Sequence, residues 1–279
     1  MKLSVWSSYY YPLSPEEAVE RLLENGITCT ELSDEHGAQI FSRSENPCEA
    51  GARFAEFIAA RGFEIPQGHL PLSARICSDD TCIARVLAWV DMYRAIGIKH
   101  MVLHCDNLYE TNLSANEKIE RNVERLKVLA ENIAGKDVTV CLENLRPLTP
   151  DRTDLIDKSA EDLLHIIDLV GSPDLGICLD TGHLNLTVKG HRNFILKAGK
   201  KLKALHITDN DGTADRHLMP FTRYGIDFFE IVKTLREVGY NGIFNLEIPG
   251  EADIPMELRD AKLAYIKACY RYLLQTTGE

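Results

Sequence analysis

DVTVCLEN (residues 137–144) and DLGICLD (residues 174–180) are two short apolar runs of strand length, and each ends at an acid, Glu143 and Asp180. Between them lies SAEDLLHIIDLVG (residues 159–171), whose apolar residues recur at helical spacing and which opens on Ser and closes on Gly, as helix caps require. A strand, a helix and a strand in that order predict parallel pairing, because a parallel crossover needs a helix-length connection.

The same unit repeats along the chain. Strand candidates are KLSVWS (2–7), ITCTELS (27–33), FEIPQGHL (63–70), KHMVLHC (99–105), 137–144, 174–180, LKALHITD (202–209) and GIFNLEI (242–248). Amphipathic stretches such as SPEEAVERLLENG, ENPCEAGARFAEFIAARG, TCIARVLAWVDMYRAIG, NEKIERNVERLKVLAENIAG and DFFEIVKTLREVGY separate them. Eight such units within 279 residues fit an α/β fold of the (β/α)8 TIM-barrel type, whose usual size is about 250 residues. A doubly wound open sheet is the alternative, but the first strand–helix turn, SSYYYPLSPEE, carries no G-x-G-x-x-G. With no linker or low-complexity run, residues 1–279 are expected to form a single domain.

Composition narrows the function classes. Lys and Arg total 31 against 42 Asp and Glu, a formal net charge of -11, so a phosphate backbone would need a local basic patch. The longest basic cluster, Lys197, Lys200, Lys201 and Lys203, reads as the solvated end of a helix entering a strand, and no nucleic-acid partner is expected. The eight cysteines form no C-x-x-C pair and no zinc-finger spacing, and read as reduced core residues. No segment approaches the roughly 18 apolar residues of a membrane span and the N-terminus has no long apolar stretch, so the expectation is a soluble cytoplasmic protein.

The strand ends carry the chemistry. Strands three to eight end in His69, His104, Glu143, Asp180 with His183 just beyond, His206 and Glu247, at intervals of 35, 39, 37, 26 and 41 residues, about one β/α unit each. A barrel gathers its C-terminal strand ends at one rim, where active sites of this fold lie. Any one of these has an ordinary reading, a histidine as a hydrogen-bonded core residue and a glutamate as the partner of a lysine; six such strand ends in register are not so easily dismissed. Crowded carboxylates raise each other's pKa unless a cation keeps them ionised, and a mixed oxygen and imidazole set suits Mn²⁺, Mg²⁺, Co²⁺ or Zn²⁺.

After strand seven, HITDNDGTADRHLMPFTRYGIDF (206–228) supplies Asp215 and His217 as further ligands or substrate contacts, with Asp209, Asn210, Asp211 and Gly212 as turn formers. Arg216 and Arg223 are the nearest cations for an anionic or hydroxyl-rich substrate, Arg223 reading better as ordinary surface.

The D-T-G-H at 180–183, the D-x-H at 215–217 and the Glu, Asp, His, Glu order make the chain resemble the xylose isomerase-like TIM-barrel superfamily of sugar phosphate isomerases and epimerases, ketose 3-epimerases, inosose-metabolising enzymes and the endonuclease IV family. The resemblance to the epimerase branch implies one divalent ion, Mn²⁺ foremost, held by Glu143, Asp180, His206 and Glu247. It also implies that Glu143 and Glu247 are the acid/base pair and that His183 contacts substrate hydroxyls. A cation bridging a carbonyl and its neighbouring hydroxyl stabilises an enediolate, and a carboxylate beside it removes the α-proton. His69, His104, Asp215, Arg216, His217 and Trp6 complete the candidate substrate contacts. The ketose 3-epimerases carry a Glu six residues after the first metal Glu and an Arg six after the metal His; here Thr149 and Gly212 stand there, with Arg146 and Arg216 as candidate replacements.

The expectation is therefore a divalent-metal-dependent isomerase or epimerase acting on a sugar, sugar phosphate or polyol, with homo-oligomers usual in the resembled family. The alternatives are a lyase or dehydratase on a keto-sugar or cyclic keto-acid, which begins with the same deprotonation, and a silent sugar-binding barrel. A third alternative is an endonuclease IV-like phosphodiesterase, because His69, His104, Glu143, Asp180, His183, His206, Asp215, His217 and Glu247 match all nine ligands of that family's three-zinc centre. Glu35 and His36, after strand two, read as pocket border or as a solvated loop and cap, and RPLTPDRTDL (146–155) as a loop over the site.

Overall fold

All eight expected strands form: β1 (Lys2–Val5), β2 (Cys29–Leu32), β3 (Glu64–His69), β4 (His100–Leu103), β5 (Thr139–Glu143), β6 (Leu175–Asp180), β7 (Leu202–His206) and β8 (Ile243–Leu246). This computed structural model describes residues 1–279 apart from 78–80, 110, 150, 151, 153, 223, 224, 251, 252 and 279. The outer helices are α1 (Pro15–Glu24), α2 (Asp34–Phe41), α3 (Pro47–Ala59), α4 (Cys82–Ile96), α5 (Ala115–Ile133), α6 (Ala160–Val170), α7 (Thr181–Leu186), α8 (His191–Ala198), α9 (Phe228–Glu237) and α10 (Met256–Thr276).

Strands β2 to β7 pair in sequence order as one parallel sheet, and β1 pairs with β8, also parallel. The two parts join into a cylinder. Ile207, just past β7, bridges Leu246 of β8 and donates its N–H to the Asn245 carbonyl at 2.8 Å. On the other seam, side chains replace the ladder: Cys29 Sγ donates to the Leu3 carbonyl at 3.1 Å and the Thr30 hydroxyl to the Val5 carbonyl.

A three-residue pattern sets inside from outside. V-L-H (102–104), C-L-E (141–143), C-L-D (178–180), A-L-H (204–206) and N-L-E (245–247) recur at five successive strand ends. The central leucines, Leu103, Leu142, Leu179, Leu205 and Leu246, point outward into the main core shared with the helices. The first residues turn inward, where Val102, Cys141, Cys178 and Ala204 form their own small cluster inside the barrel. Alternation along a strand puts the third residues on the same inner face, one layer above that floor. Small floor residues leave room beneath the polar layer, and a register shift between Ile177 and Cys178 brings Asp180 opposite His206.

The chain after β2 is helix α2, capped by the Ser33 hydroxyl, rather than a solvated loop. His36 is buried in it, with its ring nitrogens on Ser7 Oγ at 2.9 Å and the Leu13 carbonyl at 3.0 Å, and Glu35 accepts from Ser8 Oγ at 2.6 Å. Both serve this corner of the fold rather than the pocket. Among the described residues, no helix is long and apolar enough to cross a membrane.

Candidate metal centre

Glu143 is the hub of the inner polar layer. Its Oε2 lies 3.0 Å from His104 Nε2 and 3.5 Å from His69 Nε2, while Oε1 lies 3.2 Å from His206 Nδ1 and 3.3 Å from His183 Nδ1. Glu247, just past the neighbouring strand β8, approaches the same His206 Nδ1 at 3.4 Å. Asp215 stands between two further histidines, 3.3 Å from His183 Nε2 and 3.3 Å from His217 Nε2. The sets His69–His104–Glu143, Glu143–Asp180–His206–Glu247 and His183–Asp215–His217 each bring their ligand atoms within 4.8 Å of one another.

The groups behind the histidines decide which nitrogen faces inward. A carbonyl only accepts, so His69 Nδ1 donates to Leu70 O (2.6 Å), His183 Nδ1 to Asn144 O (3.0 Å) and His217 Nδ1 to Glu247 O (2.8 Å). Each ring then turns Nε2 toward the carboxylates, the nitrogen that carries a proton in the charged ring and is left free for a metal when that proton is lost. For His206 the arrangement is reversed: Nε2 lies 3.0 Å from Glu31 Oε1, and Nδ1 faces Glu143 and Glu247.

Several buried atoms at the centre lack hydrogen-bond partners among the described residues. Asp180 Oδ2, His206 Nδ1 and Asp215 Oδ1 are all in this state, which is costly unless something positive meets them. Four carboxylates and five imidazoles around unsatisfied lone pairs fit one or more divalent cations of the oxygen- and nitrogen-preferring kind.

Electrostatics separates the two glutamates. Burial pushes the Glu143 carboxyl up, but His206 and His104, with hydrogen bonds from His104 and His183, outweigh it and hold it well below its ordinary range. Glu247 is raised to about 7 by burial, with Glu143 and Asp180 adding to the effect against His206 and His217. Burial lowers His69 and His217, but Glu143 carries the former up to about 9, and Asp215 and Glu247 carry the latter up to about 10.

Local structure explains the placements. Asp180, not Thr181, caps α7, its Oδ1 accepting from the His183 N–H at 2.5 Å; Thr181 instead donates to Thr208 O at 2.7 Å. Cap and candidate ligand are thus two oxygens of one carboxylate. At Gly182 a Cβ would sit 2.2 Å from Thr208 Oγ1, so this close approach requires glycine. His217 holds φ at 44°, a strained value for a side chain that the Asp209–Leu218 antiparallel bridge locks in place.

Nine of the candidate residues thus converge on the ligand groups. Trp6 follows β1, and its indole N–H is buried without a hydrogen-bond partner among the described residues. Arg216 sits at the loop surface, 3.7 Å from Asp211. Arg223, also a candidate, lies outside the described residues, as do Pro150, Asp151 and Thr153 of the loop over the site. Arg146 does reach the centre: its Nε donates to Asp215 Oδ2 at 2.8 Å.

Glu31 is the residue that the strand-end pattern does not flag. It lies within β2, fully buried, and also accepts from Asn245 Nδ2, whose Oδ1 accepts from Ser4 Oγ at 2.7 Å. A charged residue in the middle of an apolar strand, T-E-L at 30–32, was the available signal.

Beside the histidines opens a cavity of about 180 Å³ lined by His104, Asn107, Tyr109, Arg146 and His183, with Arg75 and Leu72 at its edge. Polar groups of several kinds converge on it, as in a site for a small hydroxylated molecule.

Comparison with known proteins agrees with this architecture. Fructoselysine 3-epimerase of Escherichia coli O157:H7 is 29% identical over 155 residues, 56% of this chain and 52% of that protein. Probable endonuclease 4 of Metamycoplasma arthritidis is 25% identical over 218 residues, 72% of this chain and 75% of that protein. The chain spans about half the length of the curated relatives it matches at 29–30% identity. A D-tagatose 3-epimerase-like crystal structure superposes with a TM-score of 0.80 at 21% identity, covering 99% of this chain and 98% of that one, which shows a common fold. The profile described as "Xylose isomerase-like TIM barrel" matches residues 19–269. The chain belongs to the xylose isomerase-like TIM-barrel family.

Proposed function

We propose that the protein is a divalent-metal-dependent isomerase or epimerase of a sugar or keto-sugar that works by moving a proton on and off the carbon next to a carbonyl. The observation that carries this reading is the pair Glu143 and Glu247, which reach one point, His206 Nδ1, at 3.2 and 3.4 Å. Their environments drive their pKa values apart, Glu143 low and Glu247 to about 7, the separation expected of an acid/base pair serving neutral pH. Glu143, Asp180, His206 and Glu247 would hold the primary ion, with Mn²⁺ foremost. When bound, such an ion supplies Lewis-acid stabilisation of the charge that develops on a deprotonated substrate.

The chain's own residues then divide the remaining tasks. Glu247 takes or returns the proton, His183 and His104 face the cavity where substrate oxygens would lie, and Arg146 stands at its wall. Gly212 holds φ at 77° and has no side chain to offer, so Arg146, unlike the half-exposed Arg216, is the replacement for the missing arginine. The epimerase relatives support the substrate class, and the lack of disulfides among the cysteines accords with the cytoplasmic location proposed for it.

The test is to load the protein with Mn²⁺, Co²⁺ or Zn²⁺ and incubate it with a panel of keto-sugars and sugar phosphates in deuterated water. Deuterium at the α-carbon with an intact carbon skeleton is expected; loss of a β-substituent would mark a lyase instead, and no exchange with any substrate would sink the reading. One observation favours a second reading, phosphodiester hydrolysis: the three ligand groups together use nine side chains, and two of the groups share Glu143. Near three metals per chain by elemental analysis, together with cleavage of duplex DNA at abasic sites, would put it first.

A further inference from the structure

The longest basic cluster of this acidic chain, Lys197, Lys200, Lys201 and Lys203, divides in the structure. Lys197 pairs with Glu161, and Lys201 Nζ donates to the Leu175 carbonyl at 2.9 Å and the Ser172 carbonyl at 3.3 Å. Lys200 and Lys203 have no acidic partner among the described residues. Both instead line a cavity of about 220 Å³, together with His100. His100 and Lys203 lie at the N-terminal ends of β4 and β7, so this cavity is at the foot of the barrel, away from the candidate metal centre at its mouth.

Two local features bring Lys203 there. The register shift in β7 pairs Ile177 with Leu202 and Cys178 with Ala204, which leaves Lys203 on a bulge between them. Beside it β6 carries Gly176, where a Cβ would lie 2.8 Å from Lys203 Cγ and 3.0 Å from Thr139 Cγ2, so a larger residue would block the lysine stem. His100 stands in register with Thr139 of β5, two residues below the inward-facing Val102. His100, Thr139, Gly176 and Lys203 thus form a layer beneath the apolar floor, drawn from four successive strands.

The charge in this cavity has one sign. Lys200, Lys203 and His100 share it with Tyr240 and the Asn241 amide; the other lining positions are glycine or apolar, and none is a carboxylate. Neither ring nitrogen of His100 has a hydrogen-bond partner among the described residues. Burial, and then the Lys203 ammonium, lower the His100 pKa. Like charges that face one space in a low-dielectric wall repel one another, and an anion between them removes that cost.

We propose that this cavity binds a small oxyanion, either free phosphate or the phosphate of a phosphomonoester. Lys203 and Lys200 supply the charge, and His100 and the Asn241 amide are further donors within the same space. Two ammonium groups suit a doubly charged group better than a single carboxylate. The volume falls short of the roughly 300–1,000 Å³ of pockets for drug-sized molecules, so the occupant is a small ion or the end of a molecule that remains largely outside. The proposal does not depend on the epimerase reading, because no residue of this cavity belongs to the ligand groups at the mouth.

Isothermal titration calorimetry of the full chain with inorganic phosphate, at constant ionic strength in chloride, tests this. The wild type is expected to bind phosphate in the millimolar range. Lys203→Met keeps the stem that packs over Gly176 and loses the charge; it is expected to weaken phosphate binding about tenfold, the loss of one charge-assisted contact, with an unchanged circular-dichroism spectrum. Lys200→Gln, at the exposed edge of the cavity, is expected to weaken it less. Methyl phosphate provides the second arm: binding comparable to that of phosphate supports the site with a phosphomonoester as occupant, and binding of phosphate alone supports it with the free ion. A wild type that binds neither, or a Lys203→Met variant that binds phosphate as the wild type does because the ion sits among the histidines of the mouth, would overturn the proposal.

Discussion

His206 has two ring nitrogens and two kinds of neighbour, and the difference lies in one residue. Glu31 Oε1 sits 3.0 Å from Nε2, so the ring keeps its proton on that side and turns Nδ1, otherwise without a hydrogen-bond partner, toward Glu143 and Glu247. A carboxylate behind an imidazole fixes its tautomer and raises its basicity as a ligand. Glu31→Gln keeps the shape and loses the charge, and an amide can present either its oxygen or its NH₂ to Nε2. The expected outcome is a Mn²⁺ or Zn²⁺ affinity about tenfold weaker by isothermal titration calorimetry, from the outer-shell range of roughly 10–100-fold. An affinity equal to that of the wild type would mean that the neighbouring strands alone orient His206.

At the scale of elements, the loop between β5 and α6 is fastened to the barrel mouth through Asp157. This side chain is fully buried and accepts from Asn107 Nδ2 at 3.1 and 3.0 Å, while Asn107 Oδ1 accepts from the Ile156 N–H at 3.0 Å. Burial raises its pKa to about 7, with Asp162 adding to the shift and the Asn107 hydrogen bond opposing it. An unfolded Asp titrates near 3.9, so between about pH 4 and 7 the native state holds a proton that the unfolded state has lost. Stability from this group is therefore complete below about pH 4, falls as the pH rises toward 7 and is then level. Asp157→Asn removes the titration, and the variant is expected to gain in melting temperature relative to wild type as the pH rises from 4.5 to 7.5. A difference constant across that range would show that Asp157 ionises normally. The same loop shows where sequence reading stops. Strand positions and the convergence of the candidate ligands Glu143, Asp180, His206 and Glu247 were legible because apolar strands that end in acids and imidazoles at unit spacing are rare by chance. Glu31 was not read so, since its charge within an apolar strand marks it as unusual, but its place behind the candidate ligand His206 follows only once β2 lies near β7 across the barrel interior. Helix α2 was missed for a nearer reason: S-D-E-H-G carries polar and Gly residues that suit a turn, and the Ser33 cap and burial of Ile40 settled it as helix.

Across the whole molecule, the candidate ligands come from the ends of β3 through β8 and from the loop after β7, so one centre touches six of the eight strands. A cation bound there stabilises the closed cylinder as a unit, because opening any of those strands disrupts a ligand set. In its absence the crowded carboxylates are balanced by protons on histidines, His69 raised to about 9 and His217 to about 10, each against the burial that lowers it. Metal and protons compete for the same nitrogens, so binding is expected to release protons and to strengthen with pH. The size of the effect follows from mass action: free ion at 100 times its dissociation constant adds about 2.7 kcal/mol. For a chain of this length that is roughly 5–10 °C in melting temperature. Calorimetry of chelator-treated protein, before and after Mn²⁺, Co²⁺ or Zn²⁺ is returned, should show that rise. Asp180→Asn should lose most of it, because the amide Oδ1 still caps α7 while the charge at Oδ2 is gone. If no divalent ion moves the wild-type transition, the unpartnered atoms of Asp180, His206 and Asp215 are not a cation site, and both the epimerase and the phosphodiesterase readings fall together.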